Sequence, residues 1–232
     1  MRTVGFVAIG KTPEHDVVPE VRVRVSPDVR LCERGNLDGL SPDEVAALAP
    51  DPGEVGIVAP LGPGAETLLS HRKILPRIQR LVDELVNDER AELVVILCGA
   101  DWSAIDSPVP LINPGRLFPA VVSALAHGRK LGIIKPSPGQ VERERERYRM
   151  LGIDAVATSA TPFGQDRLDQ ARQAAELLRT AGCELIWMTC IGMDEPMREI
   201  VAAVTGRPVL LARSLLASIV AQLADGRPWH QR

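Results

Sequence analysis

Short hydrophobic runs of strand length alternate along this chain with stretches in which apolar residues recur every three or four positions, so strand and helix are predicted in turn. Residues 2–10 read as a first strand, followed by a short helix over 15–25 and a strand at 29–33. Ser41-Pro42-Asp43-Glu44 opens a helix, with serine as cap, proline first and acids in the first turn. Residues 55–59 and 65–69, set among prolines and glycines, predict a small β-hairpin. Ser70 caps a longer helix to about Asn87, with Ile74, Leu75, Ile78, Leu81, Val82 and Leu85 along one face. Two buried strands each end in a thiol, Glu92 to Cys98 and Glu184 to Cys190, and each is followed by a glycine-containing turn.

The segment 108–114, rich in proline and asparagine, reads as a loop leading to a helix at about 116–127. Thereafter strands at 130–134, 154–158, 184–190 and 208–212 alternate with helices at 140–150, 165–181, 195–205 and 214–225. Uninterrupted strand–helix alternation is the mark of βαβ units around a parallel sheet. The predicted fold class is therefore α/β, with two pseudo-symmetric, Rossmann-like parallel-sheet halves and a cleft between them. Residues 1–115 with 214–232 form the N-terminal half, and 116–213 the C-terminal half. This expectation rests on the order of elements and on the matching places of the two thiol-ended strands.

Composition narrows the function. A net charge of −3 supplies no field for nucleic acid, and 3% aromatic residues supply no stacking platform for bases. The balanced charges of 140–150 read as a solvated helix face. No apolar run reaches the roughly 20 residues of a membrane span, and Met1-Arg2 leads straight into a strand without a signal-peptide core, so a cytoplasmic protein is expected. The loop after the first strand lacks the further glycines of a dinucleotide fingerprint. The four cysteines form no CxxC pair, and the four histidines form no HxH or HExxH pattern, so no metal site is expected.

Cys98 and Cys190 are the candidate chemistry. In an open α/β sheet, ligands sit beyond the carboxyl ends of the strands, where both thiols are predicted to lie. One thiolate could remove a proton from an acidic carbon while the other thiol returns one to the opposite face, the geometry that inversion of a stereocentre needs. A thiol ionises near pH 8.5 unless assisted, and the helix capped by Asp194 just past Cys190 offers such assistance. A strand-end cysteine also serves in many proteins as a small buried hydrophobe. Cys32 and Cys183 are assigned that packing role, Trp102, Trp187 and Tyr148 are placed in the core or at its rim, and His15 is placed on the surface.

Ile9-Gly10-Lys11-Thr12-Pro13, Gly35-Asn36-Leu37-Asp38-Gly39-Leu40-Ser41, Leu97-Cys98-Gly99, Asn113-Pro114-Gly115-Arg116-Leu117, Cys190-Ile191-Gly192-Met193 and 206–214 together resemble the AroM family over nearly the whole chain. That family is similar to the aspartate/glutamate/hydantoin racemase superfamily. The resemblance implies an interdomain pocket, no metal or organic cofactor, and a small-molecule carboxylate or amide substrate; a homodimer is common among such relatives. Where those racemases follow the first cysteine with a polar pair, this chain has Gly99-Ala100-Asp101.

On this basis the expected site comprises Cys98 and Cys190 as acid/base groups. The backbone N–H groups of Gly99, Ala100, Ile191 and Gly192, with the Thr12 hydroxyl, would hold a carboxylate or enolate, and Asp101 would orient a substrate amine. The leading expectation is a cofactor-independent racemase or epimerase. The alternatives are a single-cysteine decarboxylase or cis-trans isomerase of the same superfamily, and a non-catalytic metabolite-binding protein.

Overall fold

The computed structural model describes residues 2–13, 17–62 and 65–225. It divides into two compact units, Met1–Pro114 with Leu216–Arg232, and Gly115–Leu215. The first unit holds strands β1 (Thr3–Ala8), β2 (Arg30–Gly35), β3 (Ile57–Gly62), β4 (Ala65–Leu69), β5 (Leu93–Ile96) and β6 (Leu111–Ile112). Its helices are α1 (Val18–Arg22), α2 (Pro42–Ala47) and α3 (His71–Asn87). The segment bearing α4 (Pro114–Leu125) opens the second unit. There follow β7 (Leu131–Lys135), α5 (Val141–Met150), β8 (Ala155–Ser159), α6 (Arg167–Thr180), β9 (Leu185–Met188), α7 (Glu195–Thr205) and β10 (Val209–Leu211). Helix α8 (Ala212–Asp225) begins in the second unit and continues in the first.

Each unit carries one parallel four-stranded sheet, ordered β2-β1-β5-β6 in the first and β10-β9-β7-β8 in the second. Reading the second order backwards makes the two identical: the first strand of each sheet lies inside, the second on one flank, the third and fourth on the other. The fold is thus α/β with parallel sheets, as the alternation of elements predicts. Of the four interior strands, β1, β5 and β9 are buried from end to end, which explains their unbroken apolar runs.

The match extends to packing. Gly5 in β1 faces Leu85 of α3, and Gly132 in β7 faces Leu178 of α6. A Cβ at Gly5 would lie 3.0 Å from Leu85 Cδ1, and one at Gly132 3.1 Å from Leu178 Cδ1 and 2.8 Å from Ile186 Cδ1. The helix preceding each cysteine strand therefore lies directly on a glycine of the neighbouring strand. Helix α3 buries Ile74, Ile78, Leu81, Val82 and Leu85, each worth roughly 1.5–3 kcal/mol of burial. The capping box of Ser41 and Glu44 and the Ser70 cap form as the sequence indicates.

Some sequence expectations need correction. The strand β6 lies in the segment read as a loop. Pro110 accepts a bond from Val94 N–H through its carbonyl, and Leu111 and Ile112 then pair with Val94 and Val95. Prolines at 108, 110 and 114 hide so short a strand, which survives because it lies at the sheet edge. Neither cysteine strand reaches its thiol: β5 ends at Ile96 and β9 at Met188. The helix expected from 15 begins at Val18, and residues 14–16, including His15, lie outside the described residues. Trp102, Trp187 and Tyr148 are fully buried, and burial together with Glu144 pushes the Tyr148 phenol well above its ordinary ionisation range.

Replacing Gly132 by valine drives a branched side chain into Ile186 and Leu178, and should lower stability by about 1–3 kcal/mol. Urea unfolding of the variant should show a lower midpoint with an unchanged slope.

Candidate functional site

The parallel ladders decide where each thiol emerges. Val7 pairs with Ile96, and the last bond from the cysteine strand runs from Leu97 N–H to Val7 O at 2.9 Å. In the second unit Ile134 pairs with Met188, and Thr189 N–H donates to Ile134 O at 3.1 Å. Cys98 and Cys190 are the next residues, each two positions past its paired partner. The match continues backwards: Glu92 N–H donates to Thr3 O, and Glu184 N–H to Lys130 O. Arg90 (φ 57°) and Gly182 (φ 73°) hold the same left-handed position two residues earlier. Even the flanking prolines correspond, since Pro110 O accepts from Val94 and Pro208 O from Ile186.

The thiols are thus register-equivalent members of a structural repeat, each at the carboxyl end of an interior strand. In each sheet the chain's first strand connects outward on one side and pairs with the cysteine strand on the other. That is the switch point at which open α/β sheets bind ligands. Both thiols are half-buried, whereas Cys32 and Cys183 lie in the cores. Desolvation pushes the Cys32 and Cys183 thiols up from their ordinary ionisation range, and Cys32 donates to Glu89 at 3.8 Å.

In the first unit, the loop after β1 is held by the hairpin and by Asp38. Lys11 N–H donates to Pro60 O at 3.1 Å, and a Cβ on Gly10 would lie 2.1 Å from that same oxygen. Only glycine lets the hairpin β3–β4 lie so close to this loop. Thr12 donates to Asp38 through its backbone N–H at 2.9 Å and also through its hydroxyl, while Gly35 N–H donates to the same carboxylate at 3.0 Å. Arg77 donates to the carbonyls of Asn36 and Asp38 at 2.5 and 2.6 Å. The Thr12 hydroxyl, expected to receive a ligand carboxylate, has given its one proton to Asp38. It frames the loop instead.

Beyond Cys98, the carbonyl of that residue accepts the indole N–H of buried Trp102 at 3.2 Å, and the Trp102 ring rests 4.7 Å from that of His71. Gly99 and Asp101 are exposed and Ala100 is half-buried. Asp101 Oδ1 accepts from Ser103 N–H at 3.0 Å, Ser103 Oγ at 2.5 Å and Asn113 Nδ2 at 2.9 Å, while Asn113 Oδ1 accepts Trp102 N–H at 3.1 Å. Asp101, expected to meet a substrate amine, therefore ties its loop to the start of α4.

In the second unit, Cys190-Ile191-Gly192-Met193 is a tight turn closed by Met193 N–H donating to Cys190 O at 3.1 Å. Asp194 caps α7 by accepting Met197 N–H at 3.1 Å, and pairs with Arg167 at 2.8 Å. A Cβ on Gly192 would lie 3.2 Å from Pro162 and 3.5 Å from Cys190 Sγ, so the face of Gly192 that would carry a side chain looks towards the thiol. Arg213, buried at the start of α8, donates to Ile191 O at 2.9 Å and Gly192 O at 2.7 Å.

Sequence reasoning missed Asp38, Asn113, Trp102 and Arg213 as the residues that hold the two loops. Arg213 had a signal: a charge that directly follows the apolar run Val209-Leu210-Leu211-Ala212 at a strand–helix junction. Among the described residues no group of three or more His, Cys, Asp or Glu side chains could hold a metal ion. No helix among them is long and apolar enough to cross a membrane.

A duplicated parallel sheet of this order is the Asp/Glu racemase-like fold. A putative Asp/Glu racemase from Yersinia pestis superposes with a TM-score of 0.55 at 14% identity, covering 97% of this chain and 99% of that one. The Picrophilus torridus aspartate racemase gives 0.56 at 13% identity over 100% and 97%, and the maleate isomerase Iso from Pseudomonas putida S16 gives 0.51 at 17% over 96% and 91%. The chain belongs to the AroM family, whose model, described as AroM protein, matches residues 4–224. No curated protein matches it.

Iodoacetamide at pH 8 should modify Cys98 and Cys190 in the native protein and spare Cys32 and Cys183, whose burial keeps them protonated. Peptide mass mapping before and after denaturation checks this, with all four labelled only in the unfolded chain.

Proposed function

We propose that the protein is a cofactor-independent isomerase of the racemase or epimerase type, acting on a small carboxylate or hydantoin-like compound. The observation that carries this reading is the register equivalence of Cys98 and Cys190 at the switch points of two like sheets. Both thiols pack against the core of their unit yet stay half-buried, and their shared ladder position is what sets them apart from a single buried cysteine.

In the reaction, one cysteine as thiolate takes the proton from the substrate carbon, and the electron pair moves into the adjacent carbonyl as an enolate. The other, as thiol, gives its proton to the opposite face of that carbon and becomes the thiolate. One proton leaves and one arrives, so the carbon inverts with no net change in composition. The backbone N–H groups of Gly99 and Ala100, and of Ile191 and Gly192, supply donors to the developing enolate. Thr12 and Asp101 act through the loops they brace.

A second reading uses one thiol only. It is favoured by the difference between the loops, since Arg213 and an internal bond clamp the Cys190 turn, whereas Gly99-Ala100 carries no side-chain donor. The decarboxylase and cis-trans isomerase chemistries belong to this reading. A non-catalytic metabolite binder would show ligand-induced thermal shifts retained by both cysteine-to-serine variants, with no product.

Purified protein in heavy water, offered amino acids, hydantoins and 2-hydroxy acids, should wash deuterium into the α-carbon of its substrate. Cys98→Ser and Cys190→Ser should each slow that exchange by at least about 10²-fold. Retained turnover in Cys98→Ala with loss in Cys190→Ala selects the single-thiol reading, and absence of deuterium from every compound would falsify proton transfer. Independently, dibromobimane should bridge Cys98 to Cys190 in the native protein; two singly alkylated thiols without a bridged peptide would oppose their sharing one substrate.

A further inference from the structure

We propose that Arg213 is the positioning residue of the Cys190 turn, fixing its peptide groups and favouring the thiolate there. The inference rests on the reading of Cys190 as an acid/base group. Arg213 is 7% exposed, and a buried guanidinium is costly unless its hydrogen bonds are answered. It forks onto two consecutive carbonyls, Nε to Ile191 O at 2.9 Å and Nη2 to Gly192 O at 2.7 Å. These are the two central residues of the turn that Met193 N–H closes onto Cys190 O.

A trans peptide sets its N–H opposite its C=O. Holding Ile191 O on the Arg213 side therefore aims the Gly192 N–H out of the other side of the turn. A Cβ on Gly192 would meet Cys190 Sγ at 3.5 Å, an ordinary contact distance, so this face of Gly192 looks towards the sulfur. Arg213 thus controls the orientation of the Gly192 N–H in the turn that begins at Cys190, and a donor turned to the sulfur or a cation in its surroundings favours a thiolate.

The charges around this turn come from three helices. Helix α6 contributes Arg167, paired with Asp194; α7 contributes Asp194 itself, and Glu195 paired with Arg198; α8 contributes Arg213. Ser214 Oγ donates to Glu195 at 2.7 Å, holding that carboxylate at the junction. Strand β7 brings Ile134 and the segment after β8 brings Ala160 to the same core, and neither is charged.

The other unit shows that the guanidinium is not a requirement of the fold. Leu210 pairs with Trp187 as Ile112 pairs with Val95, so the position matching Arg213 is Gly115. There the neutral amide of Asn113 holds the loop after Cys98. The same architecture stands with an uncharged brace, so the charge at 213 is specific to the Cys190 turn.

The test needs no substrate. Site-resolved iodoacetamide labelling over pH 5–10 gives an apparent ionisation midpoint for each exposed thiol. In wild type the Cys190 midpoint should lie below that of an ordinary thiol, about 8.5. Arg213→Met should raise it by about one pH unit and leave Cys98 unmoved. Arg213→Lys, which keeps the charge and one donor and so should fold where methionine fails, should fall between the two. A Cys190 midpoint in Arg213→Lys equal to wild type, an unmoved midpoint in Arg213→Met, or an equal shift at Cys98 overturns the proposal. If the midpoints stay put while deuterium exchange persists, Arg213 loses its role and the thiol chemistry stands. Shifted midpoints with no exchange on any compound give the converse.

Discussion

One backbone bond in each unit governs the rest: Leu97 N–H to Val7 O in the first, Thr189 N–H to Ile134 O in the second. It is the last rung of a parallel ladder, and the residue after it is the thiol. Because side chains alternate across a strand, a slip of one residue would turn every side chain to the other face. The register cannot slip, since the helix before each cysteine strand sits on a glycine of the neighbouring strand, Leu85 on Gly5 and Leu178 on Gly132. Packing a few residues inside the core therefore specifies which atom appears at the mouth of the sheet.

The sheets were legible because their interior strands are buried on both faces and so read as continuous apolar runs. The repeat was only half legible. Glu92-Leu93 and Glu184-Leu185 match by eye, but Arg90 and Gly182 share a left-handed conformation that letters do not reveal. The strand β6 was hidden by prolines that forbid ladder donation yet leave their carbonyls free to accept. Thr12 was read as holding a substrate carboxylate through its hydroxyl, which here donates to Asp38, 26 residues further along the chain. Contacts of that range leave no local signature, and the same holds for the fork from Arg213 to residues 191 and 192.

The two repeats also differ at matching positions. Leu97, apolar and buried, corresponds to Thr189, whose hydroxyl is buried without a hydrogen-bond partner among the described residues. Ala8 corresponds to Lys135, which reaches Glu144 at 3.5 Å. An unanswered buried hydroxyl costs about 1–3 kcal/mol, so the second unit tolerates polarity beside its thiol that the first excludes. Duplication supplies two thiols in one position; divergence around them supplies two different environments.

That divergence bears on how such a pair can work. Two identical thiols in identical surroundings would share one intrinsic acidity, whereas different neighbouring charges and donors give each its own. The braces differ in charge without disturbing the ladders: Asn113 and Asp101 tie the loop after Cys98 with neutral and anionic groups, and Arg213 ties the turn after Cys190 with a cation. Arg213 acts from the start of α8 and Asn113 from the residue before α4, the helices that follow the fourth strands of the two sheets. The difference in charge is thus carried by residues outside the ladders that fix each thiol's place in its own sheet, so position and electrostatics can be set separately.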